Sequence, residues 1–267
     1  MSERLLCAWA IVERDARVFR SYRQRPLLEL VAPVLAVALF YEVSQLVSTT
    51  RFPTPAAYFE FAAVGLALTP MLRACLVSPA AALREEVLAG TFERLALSPL
   101  GAPTCLVATL VFPLAVALLS GLLILAVATA LFGLAVEWPG ALLAAPLGAL
   151  TALALAPFGT LLLAAGVLFK QVGPGSGWLA AALALVGGVY FPSTQLPGWI
   201  GWAGDVQPLS AGLDLLRAAL TGAAPGAPVG RELATLALFA VVGLPGAATV
   251  LNLACARARR RGTLLEP

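Results

Sequence analysis

Residues 103–136 read PTCLVATLVFPLAVALLSGLLILAVATALFGLAV and residues 140–169 read GALLAAPLGALTALALAPFGTLLLAAGVLF, two runs without a charged side chain. A helix rising 1.5 Å per residue needs about 20 mainly apolar residues to cross a hydrocarbon core of ~30 Å. Each run therefore supplies one crossing and is too short for two. The excess length must be absorbed by tilt, by kinks at Pro113, Pro146 or Pro157, or by protrusion beyond the bilayer. On either side, residues 26–47, 56–77, 176–191 and 233–256 meet or approach the same requirement, the stretch 176–191 being short. The expectation is an all-α membrane protein with six transmembrane helices in a single domain spanning 1–267. Composition agrees, because 60% of the 267 residues are apolar and 12% charged, against ~45–50% and ~25% in an ordinary soluble domain. The 24 Gly and 20 Pro suit packed membrane helices, where small residues let backbones approach closely.

The residues that are missing exclude much chemistry. There is no His, so Ser-His-Asp and Cys-His nucleophile systems, two-His zinc motifs and imidazole proton shuttles are out of reach. The single Lys, Lys170, follows Phe169 rather than the Gly of a phosphate-binding loop, so the chain has no Walker A motif. Cys7, Cys75, Cys105 and Cys255 are scattered without CxxC spacing and read as inert thiols rather than a metal site or disulfide framework. Without clustered Asp, an intramembrane enzyme is a poor fit.

Orientation follows from the Arg residues. With six spans and a cytoplasmic amino terminus, the inner segments hold Arg4, Arg14, Arg17, Arg20, Arg23, Arg25, Arg84, Arg94, Lys170, Arg257, Arg259, Arg260 and Arg261. The outer ones hold only Arg51, Arg217 and Arg231, and Arg73 sits near the inner end of the second span. Such a bias places both termini in the cytoplasm. Residues 1–25 are not a signal peptide, because Glu13, Arg14, Asp15, Arg17 and Arg20 break their apolar pattern. Leu5, Leu6, Trp9, Val12 and Phe19 recur at helical spacing and predict an amphipathic interfacial helix.

Three features depart from plain membrane helix. Residues 82–100 bring Arg84, Glu85, Glu86, Glu93 and Arg94 into a short amphipathic stretch, with Gly90 and Thr91 suited to a break and recap. Such a helix can lie on the membrane and offer its carboxylates to a soluble partner; the same pattern also describes a solvated loop. Residues 187–217 are cut by Pro192, Pro197 and Pro208 into pieces too brief to cross. Broken backbone at membrane depth is tolerated only where protein or water satisfies it, so one or two half-helices dipping back over 192–224 are expected, with Trp199 and Trp202 at the headgroups and Asp214 paired with Arg217 at i,i+3. An ordinary outer loop with aromatic anchors is the other reading. Lastly, Glu29, Glu42, Glu60 and Arg73 lie near membrane depth, where ionisable groups are often functional. Glu29 and Glu60 are close enough to span ends to reach the interface, whereas Glu42 is the deepest.

The run Arg84-Glu-Glu through Gly90-Thr-Phe-Glu-Arg-Leu95 to Ser98-Pro99 resembles the cytoplasmic GT-x-E-x-L-x-x-[ST]-P element of ABC-2 type permeases, the membrane subunits of exporters for polysaccharides, lipo-oligosaccharides and drugs. The run from Phe191-Pro192 through Leu196-Pro-Gly-Trp199 and Pro208-Leu to Leu213-Asp-Leu-Leu-Arg217 is similar to that family's late signature before its last span. The resemblance covers essentially the whole chain. It implies a homodimer in a bacterial plasma membrane, with two copies of a separate ATP-binding subunit that holds ATP and Mg, no cofactor in this chain, and no nucleic-acid partner. Residues 84–97 would be the coupling helix, with Arg84, Glu85, Glu86, Gly90, Thr91, Glu93 and Arg94 meeting the ATPase and the amino-terminal helix supporting them. Pro192, Leu196, Pro197, Trp199, Pro208, Asp214 and Arg217 would belong to re-entrant helices at the outer gate. The outer loop Thr49–Ala57 is short, so the subgroup with large extracellular domains is disfavoured. The cargo implied is a lipid-linked glycan, lipid or hydrophobic drug moved outward. The alternative is a secondary transporter driven by an ion gradient, with Glu42 and Arg73 as its intramembrane charges.

Overall fold

A computed structural model of the chain describes residues 3–21, 24–46, 52, 54–88, 102–169, 173–192 and 195–260. All secondary structure among them is helical: α1 (Glu3–Ser21), α2 (Gln24–Leu46), α3 (Pro55–Leu76), α4 (Ser78–Leu88), α5 (Ala102–Ala108), α6 (Val111–Phe132), α7 (Trp138–Phe169), α8 (Gly173–Val186), α9 (Gly198–Val206), α10 (Pro208–Thr221), α11 (Val229–Leu238) and α12 (Leu244–Arg260). By length and apolarity the segments Pro55–Glu86, Pro103–Phe132, Trp138–Phe169 and Val229–Arg260 can each cross a membrane, and Val34–Leu46 and Gly175–Val186 are shorter apolar helices. Four of the six expected places thus hold a helix long and apolar enough to cross, while the expected spans 26–47 and 176–191 hold only the two shorter apolar helices.

Proline sets the local breaks. The run expected as one helix over 103–136 turns at Thr109–Leu110 and stops at Phe132, where Gly133 adopts φ +70. Pro113 has no N–H to give the Thr109 carbonyl and its ring crowds that carbonyl, so the helix breaks four residues upstream. The last segment contains a π-helical turn at Phe239–Gly243. Pro245 cannot donate to Val241, and the Leu244 N–H bonds to the Phe239 carbonyl instead. By contrast α7 runs 32 residues through Pro146 and Pro157 unbroken. Neither proline ends the helix. Fourteen residues make α8 roughly 21 Å long, and it ends in a turn over Gly187–Phe191.

At the centre are α3 and α7, with α3 two-thirds buried. The main core joins Leu68, Leu72 and Leu76 of α3 to Leu155 of α7, Ala180 and Ala184 of α8, and Leu209, Leu213 and Leu216 of α10. A second core joins Leu83 of α4, Leu106 of α5, Leu163 of α7 and Leu251 of α12. Lipid tails are as apolar as these side chains, so close packing rather than hydrophobic transfer must hold such helices together. Small residues permit that approach. A Cβ on Gly65 of α3 would collide with the Val189 carbonyl, and one on Gly140 of α7 with the Ala219 carbonyl of α10. Beside the latter contact the Glu137 N–H donates to the Leu220 carbonyl at 2.8 Å, tying the start of α7 to the end of α10.

Gly140→Leu should therefore lower stability by roughly 3 kcal/mol, the upper range for overpacking, because its obstacle is main chain. Thermal unfolding in detergent reads this. Gly177→Leu, where nothing lies within 4 Å of the added carbon, should leave the transition unmoved.

Candidate functional site

The ends of α1, α4 and α12 carry Arg14, Arg17, Arg20, Arg84, Arg257, Arg259 and Arg260 and gather at one end of the bundle. Here α1 packs on the start of the third apolar segment through Ile11 against Cys105 and Ala108, and through an edge contact of Phe19 on Phe112. Arg14 bridges two elements. Its Nη1 donates to Glu86 Oε1 of α4 at 2.7 Å, and its Nε to Asp15 Oδ1 at 3.0 Å. Burial pushes the Asp15 carboxyl above the ordinary carboxylate range; Arg14 opposes this and the Glu86 charge adds to it. Burial alone would lower the Arg14 guanidinium, yet Asp15 and Glu86 carry it above its ordinary value. Arg84 and Glu85 are exposed on α4. Gly90, Thr91, Glu93 and Arg94, and the rest of the expected helix 84–97 beyond residue 88, lie outside the described residues.

Helix α4 is a continuation of α3. Val77 between them keeps right-handed helical angles, its N–H donates to the Arg73 carbonyl at 2.8 Å, and its carbonyl accepts from Ala81 at 3.1 Å. Glu86 is thus joined to Phe61, near the far end of α3, by 25 residues of almost unbroken helix, or roughly 37 Å.

At that far end stands Arg217 of α10, 7% exposed. Its Nη2 donates to the Gly188 carbonyl at 2.8 Å and to the Phe61 carbonyl at 3.2 Å, and its guanidinium lies 3.5 Å over the Phe61 ring. Asp214 Oδ1 is 4.0 Å from Nη1, close enough for charge attraction and too far for a hydrogen bond. The expected Asp214–Arg217 proximity is present, but main-chain carbonyls make the short contacts. Gly188 has φ +79, a conformation open to glycine at little cost. The turn it belongs to is covered by Tyr190, stacked on Phe40 at 5.8 Å.

Around this anchor lie the other expected residues. Pro192 is buried at the end of the turn and Leu196 is half-buried. Pro197 precedes α9, whose Trp199 and Trp202 are 77% and 65% exposed. Pro208 opens α10 directly after Gln207, the residue that ends α9. Gln207 is 7% exposed and its Nε2 donates to the Leu183 carbonyl at 3.3 Å. Gly212 of α10 abuts Thr151, midway along α7, so α10 starts level with the middle of α7 and climbs to its Trp138 end. Glu42 and Arg73 are both exposed and are not brought together. Glu42 follows Tyr41, which packs on Phe59, and Arg73 is 14 residues further along α3, about 21 Å away. Glu60 lines an open cleft of about 350 Å³ with Tyr41, Gln45 and Phe132.

Sequence reasoning missed Phe61, Gly188, Gln207 and the role of Arg14. Arg14 looks like one more charge on the solvated face of an amphipathic helix. Phe61 and Gly188 act through carbonyls, which no side-chain pattern displays.

The sequence model of the family described as ABC-2 type transporter matches residues 8–221. That is most of the chain, and the protein belongs to this family. It is a multi-pass membrane protein and a transport subunit of the kind that works with an ATP-binding partner. No curated protein matches it.

Arg217→Met should destabilise the protein by roughly 3 kcal/mol, since two hydrogen bonds from a charged group are lost at ~1.5–3 kcal/mol each and partly offset by the apolar replacement. Thermal unfolding of the two proteins measures the difference. Asp15 supplies a pH test. Its folded pKa is raised, so its contribution is full below the unfolded pKa and is lost as pH rises through the folded value. The stability of the natural protein relative to Asp15→Asn should fall across the carboxylate range and then level.

Proposed function

We propose that the chain is the permease of an ATP-driven exporter in a bacterial plasma membrane, working as a homodimer of six-span protomers with both termini cytoplasmic. The single observation behind the mechanism is the continuity of α3 with α4, which links the acidic residues at Glu85 and Glu86 to the Arg217 anchor through one stiff element. A separate pair of ATP-binding subunits holds ATP and Mg and docks on the face that α4 presents. The segment 84–97, with Arg84, Glu85, Glu86, Gly90, Thr91, Glu93 and Arg94, is the coupling helix, and α1 braces it through the Arg14–Glu86 pair.

In this reading α9 and α10 are a re-entrant hairpin, with its vertex at Gln207–Pro208 inside the membrane and its open end outside. Pro192, Leu196, Pro197, Trp199, Pro208, Asp214 and Arg217 form or support the outer gate. Closure of the two ATPases displaces the coupling helices, and each bundle moves as a rigid body because helices packed backbone to backbone shift between discrete arrangements rather than deform. Motion of α4 is delivered along α3 to Phe61, and hence to α10 through Arg217. The permease makes and breaks no covalent bond. Its cargo, a lipid-linked glycan, lipid or hydrophobic drug, passes outward between protomers.

A gradient-driven transporter built on Glu42 and Arg73 has less support, because Glu42 follows Tyr41, which packs on Phe59, and Arg73 lies about 21 Å of helix beyond Phe59. Collapsing proton and sodium gradients in vesicles while ATP is supplied should leave transport intact.

Glu85→Arg and Glu93→Arg should each abolish ATP-driven transport and weaken co-purification of the ATPase without lowering membrane insertion; full transport in both would overturn the coupling assignment. Exchanging the bridge as Arg14→Glu with Glu86→Arg should restore part of the activity that either single change removes, with a coupling energy on the order of 1 kcal/mol for such a part-exposed pair.

A further inference from the structure

We propose that the cleft between the start of α5 and the end of α12 binds the phosphate of an anionic phospholipid. The cleft, about 450 Å³, is lined by Pro103 and Thr104 on one side and by Asn252, Cys255, Arg259 and Arg260 on the other. Asn252, Cys255 and Arg259 follow one another at i, i+3 and i+7, so they form a single stripe along α12. Arg259 and Arg260 are exposed, and no carboxylate among the described residues lines the cleft. Two guanidinium groups with an amide and a hydroxyl are a donor-rich set that matches a phosphate and has no internal acceptor of comparable charge.

Position distinguishes a lipid from a free anion. Immediately along α12 from the cleft, Leu253 is 70% exposed and Val250 44% exposed, and Asn252, Ala256 and Arg257 are exposed beside them. The helix therefore presents an open apolar flank continuous with the arginines, as acyl chains and a headgroup require. Basic pockets between membrane helices at the cytoplasmic surface take acidic headgroups in this way. A lipid seated here would clamp α12 to α5, the helix on which Ile11 of α1 packs. This binding is independent of the ATPase reading above, and its failure would leave that reading untouched.

The test uses the delipidated full chain in detergent, titrated with phosphatidylglycerol, with phosphatidylcholine of the same acyl chains, and with inorganic phosphate, and read by thermal unfolding and by native mass spectrometry. Phosphatidylglycerol should raise the unfolding temperature and stay bound, while the other two have little effect. Arg259→Gln with Arg260→Gln should weaken the phosphatidylglycerol response at least about fivefold, whereas Arg231→Gln at the opposite end should not. Should the double variant fold poorly, Asn252→Leu replaces it with the same expected direction. Equal responses to both lipids, an undiminished response in the variants, or an equal response to inorganic phosphate would each overturn the proposal.

Discussion

A buried guanidinium needs polar partners, and Arg217 Nη2 finds two of them in main chain from two other elements. The Gly188 carbonyl belongs to a turn after α8 and the Phe61 carbonyl to α3. Non-helical backbone packed among membrane helices leaves carbonyls that water would otherwise serve, and each unserved group costs several kcal/mol. Arg217 meets that demand at Gly188 and adds a second bond to the helical Phe61 carbonyl, carrying a charge that is itself costly to bury. Remove either partner and the other becomes a liability, so α3, α10 and the turn between α8 and α9 are obliged to stay together. Gly188 holds this turn at φ +79, a conformation open to glycine at little cost.

The opposite end is built on a different footing. Arg14, Asp15 and Glu86 remain partly exposed, where an ion pair contributes little to stability. Their value is positional, since Arg14 decides how α1 sits relative to α4. Between the two ends, α3 and α4 stay helical through Val77 and Pro79. The two ends of this stiff element are thus anchored unequally, by buried main-chain contacts at Phe61 and by a part-exposed ion pair at Glu86.

Packing explains how such a chain holds together without a hydrophobic drive between helices. Gly65 and Gly140 let Val189 and Ala219 approach to main-chain contact, and dispersion between closely packed atoms replaces the transfer energy that lipid cannot supply. The prolines then decide where the helices stop, but unequally. Pro113 and Pro245 are followed or preceded by irregular turns, whereas Pro146 and Pro157 are carried inside α7.

Much of this was legible in residue order alone. Runs of uncharged residues dictate helices, because lipid offers the backbone no other partner, and the places of the apolar segments, the amphipathic start and the importance of Arg217 and Asp214 follow from hydropathy and charge. Arg217 is singled out by its i,i+3 spacing from Asp214 and by the resemblance of the run 191–217 to the late ABC-2 signature. The carbonyls that make its short contacts were beyond the sequence. Carbonyls carry no residue identity, so Phe61 and Gly188 emerge only when three distant segments meet, and the same is true of Arg14 finding Glu86 across 72 positions. Whether a proline breaks a helix also depends on what surrounds the orphaned carbonyl. Local composition settles which segments avoid water; only the tertiary arrangement settles which polar atoms those segments satisfy for one another.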